Sequence, residues 1–117
     1  MAELTDEAFA AATRRGEIDM ATKPRARAAY FDRANARLVI DLTNGSTFAF
    51  DPRLAQGLEH ATDEQIAAVE ILGVGFALHW EELDTDFSVE SLLAGRFGTR
   101  RYMAERFGAD WDAEAAE

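Results

Sequence analysis

Arg37-Leu38-Val39-Ile40-Asp41-Leu42-Thr43-Asn44-Gly45-Ser46-Thr47-Phe48-Ala49-Phe50 is the stretch on which the fold turns. Leu38, Ile40 and Leu42 recur at every second position, the period of a half-buried strand. Asn44-Gly45 is the strongest turn signal in the chain. A two-residue loop there would set Ile40 opposite Ala49 and send Phe48 and Phe50 to the other face. A three-residue loop of Thr43, Asn44 and Gly45, with Gly45 left-handed, instead pairs Ile40 with Phe48 and Leu38 with Phe50. That register gathers the apolar side chains on one face, so an antiparallel hairpin with this pairing is predicted.

Upstream, Arg25 to Arg33 alternates loosely and reads as a strand, preceded by a connector over 17–24 that Pro24 closes. Thr5 to Gly16 reads as a helix: Thr5 is the N-cap, Asp6 and Glu7 fill the first turn, Gly16 is the stop, and Leu4 with Phe9 form a hydrophobic staple. Its Ala-rich interior offers a small apolar face, which suits packing at the core's edge or arming a partner. Downstream, Asp51-Pro52 ends the hairpin and opens a short turn through Gly57. Thr62 and Gln65 form a capping box for a second helix with Ile66, Val69 and Leu72 as its apolar members, broken by Gly73-Val74-Gly75. Phe76, Leu78 and Trp80 alternate with Ala77 and His79 as a fourth strand on the same core. Ser88 caps a short helix that turns Val89, Leu92 and Leu93 inward and ends at Gly95, and a last helix covers Thr99 to Phe107. Residues 108–117 are polar enough to fray. The expected fold is α+β: one domain over 1–117 with its core at 24–103. A small antiparallel sheet of about four strands would carry short helices on one side and helical extensions at both ends.

A chain of 117 residues, 48% hydrophobic and 29% charged, has enough material for one such core. With no Cys, disulfides, thiolate nucleophiles and zinc ribbons are excluded. No signal-peptide pattern opens the chain and no apolar run is long enough to span a bilayer, so a soluble cytoplasmic protein is expected. Twelve Lys and Arg against 22 Asp and Glu give a net charge of -10, which opposes non-specific attraction to phosphate backbones. The imbalance is local. Leu54 to Gly95 contains no Lys or Arg, while Glu59, Asp63, Glu64, Glu70, Glu81, Glu82, Asp84, Asp86 and Glu90 all fall within it. Basic patches flank this span: Lys23, Arg25, Arg27, Arg33 and Arg37 on one side, Arg96, Arg100, Arg101 and Arg106 on the other.

His79, Asp84 and Asp86 are the only grouping with an acid/base or metal-ligand character, and their spacing matches no specific metal signature. Turn and capping hydrogen bonds ahead of Ser88 account for the two aspartates. Gly73-x-Gly75 lacks the Lys and the following helix of a phosphate loop, and Ser88 has no evident His partner. Met103, Phe107 and Trp111 form an apolar seam if the last helix continues through Gly108, serving the domain's own core or another chain.

Gly73-x-Gly75, Leu78-His79-Trp80, Leu83-Asp84-x-Asp86, Ser88-Val89, Leu92-Leu93-x-Gly95 and Phe97-Gly98-Thr99, in this order, resemble the bacterial Domain of Unknown Function 2442 family over about residues 24–103. The resemblance implies a small α+β unit around an antiparallel sheet, no established enzymatic activity, and often the antitoxin half of a toxin–antitoxin pair encoded beside a small basic partner. Glu81 stands where the family commonly has Pro after His-Trp, and the tail lacks the basic run that suits some relatives to DNA. The expectation is a non-enzymatic, cofactor-free, antitoxin-like domain that neutralises a small basic protein, encoded by an adjacent gene, by occluding its site. Glu81, Glu82, Asp84, Asp86 and Glu90 would meet the partner's cations, and Phe107, Trp111 or Phe9 would anchor it. The alternative is a DNA-binding regulator or autorepressor using Lys23, Arg25, Arg27, Arg96, Arg100 and Arg101. A third is a metal-dependent enzyme at His79, Asp84 and Asp86. The apolar seam leaves a homodimer open.

Overall fold

The computed structural model describes residues 5–112. Its elements run α1 (Asp6–Thr22), β1 (Ala26–Asp32), β2 (Arg37–Leu42), β3 (Thr47–Phe50), a 3-10 turn (Pro52–Leu54), α2 (Asp63–Ala67), β4 (Glu70–Leu72), a turn at Gly73–Gly75, β5 (Ala77–Trp80), β6 (Thr85–Ser88), α3 (Val89–Leu93) and α4 (Arg100–Phe107). The fold is α+β. Its strands form two antiparallel three-stranded sheets, ordered β1-β2-β3 and β4-β5-β6, so the predicted sheet of about four strands is in detail six strands in two sheets.

The β2–β3 hairpin has the predicted register, with Leu38 opposite Phe50 and Ile40 opposite Phe48, and Gly45 sits at φ 92°. A one-residue slip of β3 against β2 would turn Phe48 and Phe50 away from the face that carries Leu38 and Ile40, at about 1.5–3 kcal/mol for each side chain. The loose alternation of β1 has a cause. A bulge at Arg27 shifts the pairing between Ala26, opposite Leu42, and Ala28, opposite Asp41, after which Ala29 and Phe31 face inward.

One apolar cluster serves both sheets. Leu38, Ile40, Leu42 and Phe50 from the first pack with Leu78 and Trp80 from the second, and Leu58, Ile66, Val89 and Leu92 cover them. The fully buried Trp80 donates its indole N–H to the Ile66 carbonyl at 3.0 Å, tying the central strand of the second sheet to α2. The Gly73–Gly75 turn packs against the start of β1: a Cβ on Gly75 would lie 2.4 Å from the Ala26 carbonyl oxygen.

Three elements depart from the sequence prediction, one of them being β6, a strand that holds Asp86 where turn and capping residues are expected ahead of Ser88. The first helix does not stop at Gly16 but continues to Thr22, making 17 residues. A glycine inside a helix costs only about 1 kcal/mol. What ends α1 is Pro24, which holds Lys23 extended (φ -85°, ψ 144°) while the Lys23 N–H still caps the Asp19 carbonyl. The staple residue Leu4 lies outside the described residues. The second helix ends at Ala67, so Val69 follows it and Leu72 belongs to a strand, β4, that pairs with β5. The Thr62–Gln65 capping box is present in full. Ser88 caps α3 as predicted, Thr99 is found to be the N-cap of α4, and Gly108 (φ 97°) ends α4 at Phe107, so Trp111 is not on the same helix as Met103. Among the described residues no helix is long and apolar enough to cross a membrane.

Candidate functional site

The second sheet turns Leu78 and Trp80 inward, and strand alternation therefore puts His79 on its other face. Register does the rest: His79 on the central strand stands between Glu70 of β4 and Asp86 of β6. The four residues Glu81–Asp84 reverse the chain between β5 and β6. The Asp84 N–H bonds the Glu81 carbonyl at 3.2 Å and Asp84 itself is left-handed (φ 47°). Three carboxylates are thereby gathered at one end of the hairpin, with Asp86 midway along β6 and Glu90 in the first turn of α3 beyond its far end, where the helix dipole favours an acid.

His79 is the centre of this face. Its Nδ1 is hydrogen-bonded to the Asp86 carboxylate and its Nε2 to Glu81 at 2.5 Å, and only 15% of its side chain is exposed. Glu81 first, and then Asp86, favour the imidazolium strongly enough to raise the pKa from 6.5 to about 9 against the opposing effect of burial. At neutral pH the ring is a cation that donates from both nitrogens. Neither nitrogen carries the free lone pair that a general base or a metal ligand needs. Of the proposed triad of His79, Asp84 and Asp86, the structure joins only His79 and Asp86, and among the described residues no group of three His, Asp or Glu side chains is placed to hold a metal ion.

The other acids of the stretch remain available. Glu82 accepts from Gln65 Nε2 at 3.1 Å, while among the described residues no Lys or Arg pairs with Glu81, Glu82, Asp84, Asp86 or Glu90. Glu81 and Asp86 keep 82% and 66% of their side chains exposed while holding His79. Glu70 is the residue of this face that sequence reading missed, because treating 66–72 as one helix hid β4.

Phe107 and Trp111 lie elsewhere. With Phe97 and Met103 they line an open groove of about 970 Å³ beside α4, to which Arg96, Arg100 and Asp112 also contribute, and no residue of the 81–90 stretch lines it. A row of aromatic rings leads into the groove from the first sheet: Phe48 stacked on Phe50, Phe50 stacked on Phe97 and Phe97 tilted against Phe107, at centroid distances of 5.8, 5.6 and 6.4 Å. Many of the predicted basic residues already have partners. Lys23 pairs with Asp19 at 3.7 Å, Arg100 with Asp112 at 3.2 Å and Arg101 with Glu105 at 3.0 Å. Arg25 reaches the Val74 carbonyl at 3.4 Å, and Arg27 is exposed at the β1 bulge.

Comparison with known proteins places this geometry among others of the same kind. The family described as "Protein of unknown function (DUF2442)" matches residues 26–98, from the start of β1 to Gly98. A crystal structure of a protein of unknown function from Rhodospirillum rubrum ATCC 11170 is 60% identical, with a TM-score of 0.69 over 71% of this chain and 100% of that one. A solution NMR structure of an uncharacterized protein from Chromobacterium violaceum is 30% identical, with a TM-score of 0.67 over 90% of this chain and 95% of that one. No curated protein matches the chain.

Proposed function

This chain belongs to the DUF2442 family, and from that premise we propose that it is a non-enzymatic, antitoxin-like interaction domain whose β5–β6 face binds a small basic partner protein. The observation that carries the reading is the state of the acids. Glu81, Glu82, Asp84, Asp86 and Glu90 are strung along one hairpin and the helix after it, and among the described residues no Lys or Arg of this chain pairs with them. A surface on which five acids share one imidazolium keeps a net negative charge and raises its own protein's self-repulsion, and a cationic partner relieves that while being steered to one face. His79 supports Glu81 and Asp86 from within and holds both carboxylates over the central strand. The partner is neutralised by occlusion, with no chemistry required of this chain.

Supporting the choice over DNA binding, Lys23, Arg100 and Arg101 are already paired with acids of their own elements or of the C-terminal turn. The test is co-expression with the adjacent gene's product, followed by size-exclusion chromatography with light scattering. The expected result is a stoichiometric complex that the triple variant Glu81→Lys, Glu82→Lys, Asp86→Lys forms much more slowly, with a salt dependence to match. Absence of a complex at both low and moderate salt overturns the reading.

A further inference from the structure

We propose that the groove beside α4 receives the first turn of α1 from a second copy of this chain, so that two molecules exchange arms. The inference is independent of the acidic face and rests on two surfaces that lack a partner among the described residues. The first is the groove, whose floor is Phe97, Met103, Phe107 and Trp111 and whose rim carries Arg96 and Arg100. Among the described residues Arg96 has no carboxylate partner, and Arg100 has only Asp112. The floor is pre-formed in part: Phe50 stacks on Phe97, Phe97 lies tilted against Phe107, and Met103 is buried.

The second surface is α1. No residue of this 17-residue helix is buried, and Phe9 is 63% exposed. A helix of about this length with a central glycine and no packed face is marginal in water, so its order calls for a contact along it. Asp6 lies one turn before Phe9 on the same side of the helix, and Glu7 shares the first turn. An aromatic ring beside carboxylates matches an aromatic floor beneath guanidiniums, in charge and in apolar content alike. The arm does not fill its own groove. No α1 residue lines that groove, and the C-terminal end of α1 lies instead beside Leu42–Asn44 and beside Ser88 and Glu90. Exchange between two copies fills both grooves and closes the pair about a two-fold axis, leaving no open end for further growth.

Sedimentation equilibrium on the full chain across a wide concentration range tests this. The wild type is expected to form dimers, and Phe9→Ala weakens them by about tenfold or more, as loss of a central aromatic anchor does. Asp6→Lys with Glu7→Lys, and separately Arg96→Glu with Arg100→Glu, are expected to give monomers. An equimolar mixture of those two variants restores the dimer, because each reversed arm then meets a reversed groove and each native arm a native groove. That restoration also establishes that both variants are folded. A wild type that stays monomeric at millimolar concentration overturns the proposal. So does a dimer indifferent to all these substitutions, or a mixture that fails to pair while both variants keep the wild-type circular dichroism.

Discussion

Replacing Gly75 by Ala tests the packing of the Gly73–Gly75 turn against the first sheet, and Gly73 supplies the control in the same turn. Both glycines have positive φ, 58° for Gly73 and 102° for Gly75, so an Ala at either carries the left-handed penalty of about 1–2 kcal/mol. Their surroundings differ. A Cβ at Gly73 meets nothing within 4 Å, whereas at Gly75 it would lie 2.4 Å from the Ala26 carbonyl oxygen, 3.1 Å from the Ala26 nitrogen and 3.2 Å from the Arg25 Cβ. Two of those three neighbours are backbone atoms of β1, beside the bulge, and cannot rotate away, so the strand must move. Forcing extra volume into such a contact costs about 1–3 kcal/mol, which brings Gly75→Ala to about 2–5 kcal/mol in all. At about 5 °C per kcal/mol for a domain near this size, Gly75→Ala should melt about 5–15 °C below Gly73→Ala. Thermal and urea denaturation of the two variants side by side read the difference. Equal melting temperatures would refute the claim that close approach of the turn to Ala26, and not backbone conformation alone, requires a glycine at 75.

Trp80→Phe removes the indole donor to the Ile66 carbonyl and leaves a void at a fully buried site, so a loss of about 2–4 kcal/mol is expected by urea denaturation. Thr62→Ala deletes the capping box of α2 and should cost about 1 kcal/mol, most of which Thr62→Ser recovers. His79 should titrate near pH 9 by NMR, and Glu81→Gln should lower that midpoint more than Asp86→Asn does. Because its folded pKa of about 9 exceeds the unfolded 6.5, the imidazolium's contribution to stability is complete below pH 6.5 and disappears as pH rises through 9. Unfolding curves at pH 6 and pH 10 should therefore differ less for His79→Gln than for wild type.

What the sequence made legible was local. The β2–β3 register follows from Leu38, Ile40, Phe48 and Phe50 because a one-residue slip would expose several of them together, and no distant residue is needed to see it. Thr62 and Ser88 announce their helices for the same reason, each cap bonding within three residues of itself. β4 was not legible. Glu70, Ile71 and Leu72 are too few to show a period, and Ile66, Val69 and Leu72 imitate helical spacing; what makes the segment a strand is the edge that β5 offers it. The end of α1 was misread because Gly16 is permissive, whereas the stop lies in the constraint Pro24 places on Lys23.

The same division governs the candidate site. The excess of acid between Leu54 and Gly95 is a matter of counting, but its organisation depends on register, which brings Glu70 and Asp86 to the two sides of His79 from separate strands. That arrangement changes the meaning of the histidine. Read along the chain, His79 with Asp84 and Asp86 suggests ligands or an acid/base pair; in the sheet, both ring nitrogens are engaged by Glu81 and Asp86 and the ring becomes the local cation of an acidic face. An imidazolium placed there reduces the repulsion between the two carboxylates and fixes their positions, while each keeps most of its surface in water for a second cation to approach. A general base needs a nitrogen that is unprotonated near neutral pH, whereas Glu81 and Asp86 favour the protonated ring.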